Sequence, residues 1–284
     1  FFITICAASV SGGMEIKMIG RDIETVKIIQ DFVDQKRIEE HIVNQVIRDD
    51  VFALLEKHCI VLYYPLEDDK IEGCHIIKPL GATEEQFVFI NTTKAVQEQT
   101  WTAAHELGHV WKIDRYVMDQ LGRPDLDPEA VVNRFAAELL LPESIFRAEV
   151  QQRLQEYGYQ GPAMSTETMV RLVTYLMNYF CTPYKAVIRR FIELNYIDGR
   201  SENVFLQGFQ KQEALYQRLR TENQYTRLET VNRACSMESI EQDICLLERN
   251  SVYPDAAKTN RLRELFHLEQ TVYTESDEKY QFGE

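Results

Sequence analysis

Two histidines four residues apart, with a glutamate directly after the first, stand in Thr102-Ala-Ala-His105-Glu106-Leu107-Gly108-His109-Val110-Trp111. On a helix, positions i and i+4 lie one above the other, so His105 and His109 can offer imidazole nitrogens to one metal ion. Glu106 lies about a quarter turn away, within reach of the metal's open position without being a ligand. Two neutral ligands and a carboxylate base are what a metal-assisted hydrolase needs, the neutral ligands preserving the ion's Lewis acidity.

The surroundings support a buried site rather than a surface helix with two solvated histidines. Trp101, Ala103, Ala104, Leu107, Val110 and Trp111 make the segment apolar, and buried histidines need partners. Gly108 costs helix stability, which makes sense where another backbone or side chain must come close.

Hydrolytic zinc sites take three protein ligands. Downstream, Asp127-Pro128-Glu129 opens a second helical segment that Pro142 ends, with Asp127 as N-cap and Pro128 as first helical residue. Glu129, Asn133, Ala136 and Leu140 fall on one stripe of this helix, whereas Glu138 lies about 180° away from Glu129. Glu129 is either a first-turn acid favoured by the helix dipole or the third ligand. Its phase, shared with the small Ala136 where another helix can pack, favours the ligand reading over Glu138. Asn133, one turn beyond Glu129, is the candidate donor that orients a ligand from behind.

These residues resemble the signature of the ImmA/IrrE-type metallopeptidases: His105-Glu-Leu-Gly-His109, then Glu129-x-x-x-Asn133-x-Phe135-Ala136-Ala137-Glu138-Leu139-Leu140-Leu141-Pro142. The stretch Thr182–Ile197 is similar to the segment that follows that family's active-site helices, and the likeness covers roughly residues 40 to 200. It implies zinc bound by His105, His109 and Glu129, with Glu106 as general base. It also implies a substrate, a helix-turn-helix repressor whose cleavage switches on a mobile-element, phage-defence or stress operon. Val132 departs from the pattern, which usually has a small residue before the asparagine; packing is affected, the ligand set is not.

The elements that must hold this site read as an α+β, zincin-like arrangement. Ile23, Val26, Ile29 and Val33 mark one amphipathic helix, and Ile38, Ile42 and Val46 suggest another. Cys59–Tyr64, Cys74–Ile77 and Gln86–Ile90 read as strands of a small sheet, and Asn91-Thr92-Thr93 offers a cap for the metal helix. An edge strand of such a sheet can hold a substrate in extended form. His75, inside a strand, is expected to be a packed histidine and not a ligand. After a loop at Gly158–Ser165 come two helices, the second ending near Asn195.

The expected organisation is a tail or appended remnant over 1–20, a zinc metallopeptidase domain over 21–200, and a helical, regulatory extension over 201–284. In the extension Ile240, Ile244 and Leu247 make one apolar stripe, Leu262, Leu265 and Phe266 another, and the end from Thr274 is acidic.

With 284 residues, 45% hydrophobic and 27% charged, the chain can bury a sizeable core. A net charge of −14 argues against direct nucleic-acid binding, which needs clustered lysine and arginine. Six cysteines without a C-x-x-C pair read as reduced thiols of a cytoplasmic protein, and no stretch is long and apolar enough for a membrane span. The rival reading is a non-catalytic, zinc-stabilised protein-binding module, an antitoxin or toxin-type partner. A fourth protein ligand, Cys181 or His75, would favour it.

Overall fold

A computed structural model describes residues 6–8, 22–43, 45–65, 71–80, 83–159, 164–197 and 202–225, with single positions 228, 244 and 263. The fold is α+β. A sheet of four strands, β1 (Cys6–Ala8), β2 (Ile60–Tyr64), β3 (Gly73–Leu80) and β4 (Thr83–Asn91), runs in the order β1-β3-β4-β2. β3 and β4 form an antiparallel hairpin, β2 lies parallel to β4, and β1 pairs antiparallel with β3. The central strand is apolar on both faces, Phe87 to Ile90 all being buried. β1 comes from the expected tail: its three residues pair with Gly73–His75, along what would otherwise be an open edge of unpaired N–H and C=O groups.

The helices in chain order are α1 (Ile23–Glu39), α2 (Val51–His58), α3 (Val96–Val110), α4 (Ile113–Leu121), α5 (Pro128–Leu140), α6 (Glu143–Glu156), α7 (Thr166–Phe180), α8 (Tyr184–Glu193), α9 (Glu202–Gln210) and α10 (Glu213–Glu222). α3 lies against β3 and β4 on one side and against α2 and α5 on others, so the metal helix is at the centre of the packing. Its return partner α5 is reached through α4, which a left-handed Lys112 (φ 56°) starts and a left-handed Gly122 (φ 62°) ends. α9 and α10 pack on α8 and α7.

Contacts divide the chain into two compact units, Phe1–Asn232 and Arg233–Glu284. In the second unit only Ile244 and Arg263 are described, and both are buried. Of the stripes expected there, Ile240, Leu247, Leu262, Leu265 and Phe266 lie outside the described residues, as does the acidic end.

Local expectations meet two corrections. The apolar spacing of Ile38, Ile42 and Val46 forms no second helix: α1 runs to Glu39 with Ile38 exposed, and the chain then reverses through a left-handed His41 (φ 60°). Buried Arg37 stabilises the reversal by donating to Leu139 O (3.0 Å) and to Gln45 O. The helix that follows is α2, which buries Val51, Phe52, Leu54 and Leu55. The cap of α3 also differs. Asn91 spends its side-chain oxygen on Thr93, so the helix begins four residues later, with Glu98 accepting from the Ala95 N–H (3.2 Å). The start of α5 is as expected: Asp127 accepts from Glu129 N–H at 3.1 Å and Pro128 is the first helical residue.

Two features fix α5. A Cβ on Gly108 would lie 2.9 Å from both Val132 Cγ1 and Phe135 Cδ1, so the glycine lets the two helices approach. Further along, Glu138 is buried among cations. It accepts from Arg190 Nη1 and Nη2 (2.9 and 2.6 Å) and from Arg134 Nη2 (2.5 Å), while Glu193 pairs with both arginines. Burial opposes charge on Glu138, yet Arg190 and Arg134 hold its carboxyl below the usual range.

Gly108→Ala is expected to lower stability by about 1–2 kcal/mol, overpacking outweighing the gain in helix propensity. Adding Val132→Ala removes one of the two close contacts, so urea midpoints of both singles and the double should show favourable coupling. Glu138→Ala removes the two-oxygen partner of a fully buried arginine, leaving it Glu193 alone for charge, and should cost about 3 kcal/mol; Glu138→Gln should cost less. A mild effect of the alanine variant on the urea midpoint would contradict the role given to this ion cluster.

Candidate metal centre

His105, Glu106 and His109 come from the middle and end of α3, Glu129 and Asn133 from the first two turns of α5. The structure brings three of them together. His105 Nε2 lies 3.2 Å from His109 Nε2 and 3.2 Å from Glu129 Oε2, and His109 Nε2 lies 3.5 Å from Glu129 Oε1. Two imidazole nitrogens and a carboxylate converge on one point. Ligands of a tetrahedral ion with bonds near 2.05 Å stand ~3.3 Å apart, so these separations fit zinc. Among the described residues this is the group of histidine, cysteine or acidic side chains able to hold a metal, and neither Cys181 nor His75 belongs to it.

Asn133 sets which histidine nitrogen is available. Its amide nitrogen donates to the Glu129 carbonyl (2.8 Å), which turns its oxygen toward His105 Nδ1 (3.2 Å). His105 therefore carries its proton on Nδ1 and directs the lone pair of Nε2 inward, the tautomer a metal requires. One asparagine ties the His105 ring of α3 to the backbone of Glu129 in α5.

Charges in the cluster respond to burial. Burial disfavours a proton on His109 and, with His105 beside it, pushes its pKa down to about 4. Burial acts against charge on His105 too, but its bond to Glu129 and the Glu106 charge outweigh it and raise the pKa. The cluster has one open side: the Glu129 side chain is 44% exposed, those of His105 and His109 only 3% and 9%. Among the described residues the group offers three ligands, the number that hydrolytic zinc sites take, with the fourth position left for water.

Glu106 is the anomaly. It is completely buried, and among the described residues neither carboxylate oxygen has a hydrogen-bond partner. Burial pushes its carboxyl up to about 8, against the attraction of His105. Native proteins seldom leave a buried carboxylate bare, and a perturbed acid beside a metal-competent cluster marks a functional site. Gly73 on β3 lets α3 approach the sheet here: a Cβ there would sit 2.5 Å from the Thr102 methyl and 2.7 Å from Phe89 O, and at an ordinary contact distance, 3.5 Å, from Glu106 Oε1.

Glu138, the rejected ligand, is in the ion cluster with Arg190 and Arg134 on the other side of α5. Sequence reasoning did not give Gly73 and His75 a place near the site. His75 is no ligand, but its ring stacks beside His109 with centroids 6.1 Å apart. The available signal was their separation by two residues, which puts both on one face of the strand.

No helix of the described residues is long and apolar enough to cross a membrane. No curated protein matches the chain. Residues 58–192, from the end of α2 into α8, match the family model described as the IrrE N-terminal-like domain. This segment, which contains both site helices, is similar to the ImmA/IrrE-type metallopeptidases.

Proposed function

We propose that the protein is a cytoplasmic zinc endopeptidase whose substrate is a helix-turn-helix repressor. The observation that carries the hydrolytic reading is a bare, buried Glu106 next to three ligand atoms with tetrahedral spacing and one open side. The repressor substrate rests on the family alone.

His105, His109 and Glu129 would hold the zinc. When bound, zinc supplies Lewis acidity toward the scissile carbonyl and toward water. Glu106 accepts the proton of the attacking water and passes it to the leaving nitrogen, as the C–O bond forms and the amide C–N bond breaks. Its desolvated setting supports this role: among the described residues no donor occupies its oxygens. Asn133 keeps the His105 ring aligned. Glu129, exposed and at the mouth, completes the ligand set from the second helix.

Metal analysis of purified variants tests the ligands. Glu129→Ala is expected to lose most of its zinc, and Glu138→Gln, altered on the opposite face of α5, to keep it. Equal zinc in both would remove Glu129 from the site. For the chemistry, Glu106→Gln preserves shape and should retain metal while cleaving a co-encoded repressor at least about 10²-fold more slowly. Undiminished cleavage by that variant would end the general-base role. Intact repressor after incubation with zinc-loaded wild type would reject this substrate class without touching the metal assignment.

A further inference from the structure

His105 and His109 are oriented by different means. His105 has Nδ1 held by Asn133. The polar contacts of His109 among the described residues both run through Nε2, on the metal side, to His105 and Glu129. Nothing of that kind holds the back of its ring.

What lies against the ring is His75. The two imidazoles are nearly parallel (25°) with centroids 6.1 Å apart, inside the range of offset-stacked rings. His75 is itself immobilised. It is buried, and its Nε2 is 2.9 Å from Gln86 Oε1, an acceptor that places the imidazole proton on Nε2 and stops the ring from turning. The hairpin register explains the meeting: His75 pairs with Val88 and Ile77 with Gln86, so His75 and Gln86 are diagonal neighbours on one face of the sheet. Gly73 is on that face as well, beneath Glu106. One strand face thus supplies space at Thr102, one turn before Glu106, and, two residues on, a wall at His109.

We infer that His75, locked by Gln86, is a positioning residue that holds the His109 imidazole in its metal-binding orientation. This rests on His105, His109 and Glu129 being the metal ligands. Outer groups that orient a metal's histidines typically change affinity by about 10–100-fold when removed. The stacked ring takes, for His109, the place that the Asn133 hydrogen bond takes for His105.

Zinc affinity, measured by competition with a chromophoric chelator, and the visible spectrum of the cobalt(II)-substituted protein test this on the full chain. His75→Ala should weaken zinc binding by about 10-fold or more and alter the cobalt bands. His75→Phe, which keeps a ring against His109, should recover most of that affinity, whereas Gln86→Ala, which releases the His75 ring, should show a smaller loss than His75→Ala. Wild-type affinity and an unchanged cobalt spectrum in His75→Ala overturn the inference. If His75→Ala does not fold, Gln86→Ala decides by the same two readouts, and wild-type values there overturn it. Full zinc retention by Glu129→Ala would instead break the ligand assignment, an outcome separate from any effect at His75.

Discussion

The close approach of α3 and α5 is the constraint on which this molecule depends. His105 and His109 of α3 and Glu129 of α5 meet within a few ångströms, and helices with ordinary side chains at their crossing stand 8–10 Å apart axis to axis. Gly108 removes one layer of atoms at the crossing, and Val132 and Phe135 fill the space it leaves. The glycine therefore lies between the two residues it serves, one turn after His105 and next to His109. The same approach brings Asn133 within reach of His105, so that ligand spacing and ligand tautomer follow from one piece of packing.

Buried glutamates on these helices show how surroundings assign roles to one residue type. Glu138 is surrounded by cations and its charge is fully used in joining α5 to α8. Glu106 is just as buried but has no hydrogen-bond partner among the described residues, and its carboxyl is pushed up instead of down. Glu129 is half exposed and shares its two oxygens between two histidines. The first carboxylate stabilises, the second is destabilised in a way that suits proton transfer, and the third can remain charged in contact with solvent.

The sheet contributes more than a floor. β3 faces α3 with alternate residues, so a strand repeat of two is matched against a helix repeat of 3.6, and Gly73 and His75 come to lie beside Glu106 and His109. The strand turns one small and one aromatic residue toward the site, and neither carries the hydrolytic chemistry.

The meeting of His105, His109 and Glu129 was legible in the sequence because its information is local. An i, i+4 pair on a helix, an N-cap at Asp127, proline at the first helical position and the phase of Glu129 against Glu138 all follow from chain geometry within a dozen residues. Misreadings arose where a local pattern had a tertiary competitor. The spacing of Ile38, Ile42 and Val46 is helical, but Arg37, bonded to the distant Leu139 carbonyl and to the Gln45 carbonyl just beyond the turn, favours a reversal there. Asn91 is a good capping residue that the turn at Thr93 uses first. What only the tertiary structure decided is which groups from distant segments meet: Arg190 with Glu138, Gly73 beneath Glu106, His75 beside His109. Those meetings depend on strand register and helix packing, which bring together residues dozens of positions apart and leave no periodic mark on the sequence.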